Sequence, residues 1–112
     1  MISPAHVATM ARYNAWQNRS LYTAADGLSE EARQQDRGAF FQSIHRTLCH
    51  ILFGDQIWMH RFAGTPAPRA KTFAESSTAY ADWAELKAER VRFDAVITQW
   101  ADGLDAAWLE GD

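Results

Sequence analysis

The sequence predicts an all-α fold in which three long helices pack as a bundle. Three observations predict it. Apolar residues recur at three- and four-residue steps along most of the chain, the period of one helix face. No run of β-branched or aromatic residues alternates with polar ones over four residues. Helix-start and helix-stop residues bracket stretches of about 22 to 25 residues, each roughly 35 Å long at 1.5 Å per residue. Long helices joined by short links favour an antiparallel bundle.

The first helix opens at Ser3-Pro4, a serine cap followed by a proline whose missing N–H would be unpaired there anyway. It runs to Asp26-Gly27, where glycine suits a C-terminal cap. Its apolar stripe is Val7, Met10, Leu21, Ala25 and Leu28. The polar link Ser29-Glu30-Glu31-Ala32 is long enough for one helical turn. The second helix is predicted from Gly38 or Ala39 to just before Gly64, with Phe41, Ile44, Leu48, Ile51, Leu52, Trp58, Met59 and Phe62 as its buried face. Residues 64–79, with Pro66 and Pro68, form the longest irregular stretch. The third helix is predicted from Ser77-Thr78 to Gly103, burying Trp83, Leu86, Phe93, Ile97, Trp100 and Leu104.

Composition narrows the function classes. The chain has 112 residues, is 47% apolar and carries a net charge of −3, which fits one globular domain over 1–112 and argues against nucleic acid as a partner. One cysteine, Cys49, rules out an intrachain disulfide and a CxxC metal site. No apolar run approaches the roughly 20 residues of a membrane span, and the N-terminus lacks the pattern of a signal peptide. A cytoplasmic protein is expected.

Projection at about 100° per residue places several polar groups on the apolar stripes. Asn14 falls near the middle of the first, with Asn18 beside it. Asp55 falls in the second and Arg90 in the third. Buried polar groups are costly unless paired. One reading makes them structural, with Asp55 and Arg90 as a buried ion pair. The other makes them the lining of a polar pocket at one level of the bundle.

The histidines are His6, His45, His50 and His60. His45 and His50 stand five residues apart, about 140° around a helix, so one metal ion does not readily take both. No HxxxH, HxxH or HExxH spacing occurs, and spacing alone reads each histidine as core or surface. Cys49 reads as a buried, unreactive thiol. Trp16 lies off the first stripe and marks a possible intermolecular contact.

Two segments carry a family resemblance. Tyr13-Asn14-Ala15-Trp16-Gln17-Asn18-Arg19-Ser20-Leu21 resembles the "YNxWxNxxL" opening helix of the DinB-like (damage-inducible) family. Ile44-His45-Arg46-Thr47-Leu48-Cys49-His50-Ile51-Leu52-Phe53-Gly54-Asp55-Gln56-Ile57-Trp58 resembles its second helix, "IHxTLxHLLxxDxxW". The resemblance implies an up-down-down-up four-helix bundle, a frequent homodimer, and a divalent metal, zinc or nickel, held by three histidines. It implies a metal-dependent hydrolase, or a transferase or isomerase that uses a low-molecular-weight thiol of the bacillithiol, mycothiol or glutathione kind. Carried over by position, the first metal histidine is His50. Asn14, Asn18 and Asp55 become candidate pocket residues. The remaining ligands come from an HxxxH pair on a fourth helix, which does not occur before Asp112. The expectation is therefore a DinB-like domain, C-terminally incomplete and inactive alone. The rival expectation is a non-catalytic oligomerisation module with an exposed stripe. The short tail with Leu104, Trp108 and Leu109 is expected to cover that stripe only in part.

Overall fold

The computed structural model describes residues 3–38 and 42–104, and among them every regular element is helical. α1 spans Pro4–Asp26, α2 spans Glu30–Gln34, α3 spans Ile44–Ala63 and α4 spans Trp83–Asp102. The Ser3 side chain accepts from the His6 amide at 3.1 Å, as its cap position requires. Trp108 and Leu109, Phe41 and Ala39 lie outside the described residues.

Two helix starts differ from the sequence reading. α3 begins at Ile44, well after Gly38, because the chain first turns through two left-handed residues, Gly38 at φ 76° and Gln42 at φ 73°. Ser43 then caps the helix by accepting from the Arg46 amide at 3.1 Å. α4 begins at Trp83, not at Ser77-Thr78, which sit among successive turns. Asp82 is its cap and accepts from the Glu85 amide at 3.0 Å. The Asp82-x-x-Glu85 spacing is a capping-box pattern and was the better signal.

Cross-helix pairs fix the directions. Arg12 meets Asp102, Asn18 meets Asp94, and Asp26 meets Lys87, so α1 and α4 are antiparallel. Asp55 meets Arg90 and Gln56 meets Glu89 while His45 reaches Tyr80, so α3 and α4 run parallel. That is the up-down-down order of the predicted bundle. It corrects a simple antiparallel pairing of neighbours, since parallel neighbours need a connection that returns along the helix length, here residues 64–82. Gly64, at φ 72°, ends α3 in the left-handed conformation that starts this return.

The buried clusters also differ from the predicted stripes. α1 buries Ala11, Ala15, Asn18, Tyr22 and Ala25, whereas Met10, Leu21 and Leu28 are exposed. Small alanines let α4 approach closely, and Tyr22 stacks on Trp83 with centroids 5.5 Å apart. α3 buries Leu48, Cys49, Leu52 and Met59, but Ile51, Trp58 and Phe62 are not in the core. Leu86 and Phe93 of α4 complete the cluster, with Ile97 and Trp100 packed at its edge. Arg33 of α2 closes the end of α1: its Nη1 donates to the Ala25 and Leu28 carbonyls at 3.2 and 2.5 Å, and its guanidinium lies 4.7 Å from the Trp83 ring centre. Among the described residues no helix is long and apolar enough to cross a membrane.

Candidate functional site

The polar cluster forms where the three long helices meet. Arg90, 2% exposed, reaches Asp55 Oδ2 at 2.8 Å with its Nη2. The same nitrogen donates to Asp94 Oδ1 at 2.6 Å, and Nε donates to that oxygen at 2.9 Å. Asn18 Nδ2 donates to it as well, at 3.0 Å. The cluster thus joins α3 to α4 through the Arg90 guanidinium and α1 to α4 through the Asp94 carboxylate. Burial pushes the Asp94 carboxyl above the ordinary carboxylate range, with Arg90 pulling the other way. Burial also raises the Tyr22 hydroxyl. Arg90 Nη1 and the Tyr22 hydroxyl are buried without a partner among the described residues.

The pairing of Asp55 with Arg90 matches the structural reading made from the stripes. Asp94 was missed, although Arg90 and Asp94 are four residues apart and so share a helix face. Asn18 joins the cluster and Asn14 does not. Asn14 is half-buried on the flank of α1 that carries Met10 and Leu21, off the middle of the stripe where projection put it.

His50 sits elsewhere. It is five residues from Asp55 and so about 140° away around α3. It lies under the returning connection, with its ring 4.9 Å from that of Phe73. Its Nδ1 is 2.7 Å from Ser76 Oγ, which donates its own proton to the Phe73 carbonyl at 2.6 Å. The serine oxygen therefore accepts from Nδ1–H, which fixes the orientation of the ring. Ligating imidazoles are held this way through their second nitrogen. The remaining ligand set is not supplied: among the described residues no group of three His, Cys, Asp or Glu side chains could hold a metal ion. These residues alone do not fit a three-histidine metal centre.

The other candidates are structural. His45 is buried, and its Nε2 donates to the Tyr80 carbonyl at 2.6 Å, anchoring the connection to α3. His60 donates from Nδ1 to the Thr65 carbonyl at 2.6 Å. Cys49 is 1% exposed and burial pushes its thiol up, away from the reactive thiolate. Trp16 is exposed and stacks on Tyr13.

The whole of this arrangement falls within one family match. The family model described as DinB family matches residues 1–110. The chain belongs to the DinB family. Comparisons with curated proteins and with solved structures give no match. Within this DinB chain, the opening-helix motif supplies Asn18 to the central cluster, and the second motif supplies Asp55 to the same cluster and His50 to the far side of α3.

Proposed function

We propose that this DinB-family chain is a helical module that acts as a homodimer, pairing through one open flank of α1 and α3. The observation that carries this is the apolar surface there. Met10 and Leu21 of α1 and Ile51, Trp58 and Phe62 of α3 are each between 43% and 59% exposed. Met10 and Leu21 stand eleven residues apart, and Ile51, Trp58 and Phe62 step by seven and four, spacings that keep each set on one face of its helix. Projected around helices whose core faces meet α4, they turn to the same side of the bundle. At about half of the 150–250 Å² that an aromatic side chain can bury, Trp58 and Phe62 alone offer roughly 200 Å², to which Met10, Leu21 and Ile51 add apolar surface. A standard interface takes about 800 Å² from each partner, of which about 57–65% is apolar. The flank therefore supplies a substantial share of the apolar surface that a twofold pairing of identical chains covers. Sedimentation equilibrium at micromolar concentration tests the reading. A dimer is expected, and a 12.7 kDa monomer rejects it.

A second reading keeps the metal-dependent hydrolase or thiol-dependent transferase chemistry that the family resemblance implies. The observation in its favour is His50, whose ring is oriented by Ser76 through Nδ1. In this reading His50 is one ligand to zinc or nickel, which would supply a Lewis acid for a thiol or water. The other ligands come from beyond the described residues. Calorimetric titration with zinc and with nickel tests it. Submicromolar binding that is lost in His50→Ala supports it, and equal binding by both chains rejects His50 as a ligand.

A further inference from the structure

The connection that returns from α3 to α4, residues 64–82, contains no helix or strand. Its internal bonds are single turns: the Glu75, Ser76 and Thr78 amides donate to the Thr72, Phe73 and Glu75 carbonyls, each at 3.1 Å. Pro68, Ala70, Ser76 and Tyr80 are its buried residues. Ordering so long an irregular stretch costs conformational entropy, and this much apolar burial offsets little of it.

Polar side chains of α3 supply the rest of the hold. His45 donates from Nε2 to the Tyr80 carbonyl at 2.6 Å. Cys49, one turn on and 1% exposed, turns its sulfur to the Ala79 and Tyr80 amides. His50 donates from Nδ1 to Ser76 Oγ at 2.7 Å, and its ring meets Phe73 edge-on. Ser76, 0% exposed, carries that hold along the strap by donating to the Phe73 carbonyl. Arg69 braces the strap from within: it donates to the Ala79 carbonyl at 3.2 Å, and its guanidinium lies 4.2 Å from the Tyr80 ring centre.

We propose that His50 serves this chain as a clasp that seats the connection through Ser76, with His45 and Cys49 as neighbouring anchors, and not as the metal ligand that the family resemblance implies. The described residues do not complete a metal centre around it, whereas the strap meets its ring at both a nitrogen and an edge. The clasp also has a consequence for the bundle. Parallel α3 and α4 require a returning connection. Tyr80, the last residue so anchored, stands three before Trp83, where α4 begins. Fixing the strap on α3 therefore helps to fix the level at which Arg90 of α4 meets Asp55 of α3.

Amide hydrogen exchange of the whole chain tests the clasp, read at residues 75, 76 and 78 and compared with 15–22 in α1 and 90–97 in α4. His50→Ala and Ser76→Ala should each speed the strap amides about tenfold, the scale of one lost buried hydrogen bond, and leave the helix amides within about twofold. The two changes together should add little to either alone, because they remove the same bond. His50→Asn, whose carboxamide nitrogen can donate from near the place of Nδ1, should keep the strap within about threefold of the wild type. Zinc at micromolar concentration should leave the wild-type strap rates unchanged. If circular dichroism shows that His50→Ala loses helix, Ser76→Ala and His50→Asn carry the test. Unchanged strap rates in the alanine chains, fully additive effects of the two alanine changes, or zinc protection of the strap that is present in the wild type and absent in His50→Asn would each overturn the proposal. It does not rest on the dimer reading: sedimentation decides that one, and exchange rates decide this.

Discussion

At the centre of the bundle Arg90 is 2% exposed among Asp55, Asp94 and Asn18, whereas on the open flank Trp58 and Phe62 are 55% and 59% exposed. Charge lies inside and aromatic surface outside, the reverse of the usual distribution. The two regions answer this in different ways. The centre pairs its charges within the chain, because one guanidinium spans two carboxylates and a carboxamide completes the set, with only Arg90 Nη1 and the Tyr22 hydroxyl left over among the described residues. The flank has no such remedy within the described residues: Trp58 stacks only on Phe62, with centroids 5.1 Å apart, and Arg61 lies over Trp58. Pairing solves a buried charge locally, but apolar surface is relieved only by another surface. The comparison therefore separates what holds one chain together from what would join two.

The largest effect is expected at the centre. Arg90→Met removes the partner of both carboxylates and leaves Asp94 buried and unpaired, which should cost about 3–5 kcal/mol in a urea melt. Replacing the set together, as Arg90→Met with Asp94→Leu and Asp55→Asn, should recover most of that loss, because buried ion pairs add little net stability over well-packed apolar groups. If Arg90→Met proves neutral, the centre does not bear on stability at all and the contrast with the flank fails.

On the flank the expected effect falls on association. Trp58→Glu with Phe62→Glu should change the stability of the folded chain by no more than about 1 kcal/mol, since both side chains are more exposed than buried. It should weaken self-association at least a hundredfold, about 2.8 kcal/mol at 1.4 kcal/mol per tenfold, by placing like charges across a twofold interface. Sedimentation of the two chains side by side reads this directly. An unchanged dimer would move the interface elsewhere, with exposed Tyr13 and Trp16 the next surface to test.

Much of this contrast is legible in the sequence, and the part that is not has physical causes. The helices, the Ser3 cap, the Gly64 stop and the Asp55–Arg90 pair follow from spacing and capping rules. The division of α3 does not. Leu48, Leu52 and Met59 differ from Ile51, Trp58 and Phe62 only in angle around one helix, and a broad apolar stripe gives no sign of where its neighbour ends. In α1 the eye follows Met10 and Leu21, while the buried face is built on Ala11, Ala15 and Ala25, whose small size is what brings α4 near. The placement of His50 beneath Phe73 and Ser76 depends on the path of the connection, which carries no period to read.

A smaller effect should appear as pH dependence at Asp94. Burial holds its folded pKa above the ordinary value of 3.8, so folding takes up a proton between the two values. Its contribution to stability is most favourable below that window and declines as pH rises through it to the folded pKa. Asp94→Asn carries no such proton. The wild-type chain should therefore lose ground to the variant as pH rises from about 4, and then hold a constant difference once Asp94 is ionised in both states. Asp26 and Glu30, whose pKa values are lowered by bonds to Lys87 and Arg33, slope the other way but are common to both chains and cancel. Urea melts of the pair at several pH values check the sign. A widening advantage for the wild type would mean that Arg90 outweighs burial.

The smallest effect is expected at the border between the two regions. The Asp55 side chain is 33% exposed, against 8% for Asp94, though both meet the same Arg90 nitrogen. Water screens the outer carboxylate, so Asp55→Asn should cost about 1 kcal/mol or less, well under the cost of removing Arg90. Its effect on assembly should have the opposite sign. Asp55 lies one turn from Ile51 and from Trp58, so a dimer built on that flank covers it. Covering a charge that gains no new partner opposes association, and a neutral carboxamide in its place relieves that cost. Asp55→Asn should thus loosen the single chain slightly while tightening the dimer. A urea melt and a sedimentation series on the same sample read the two signs independently. If both weaken together, Asp55 gains a partner across the interface, and the flank is not purely apolar in its pairing.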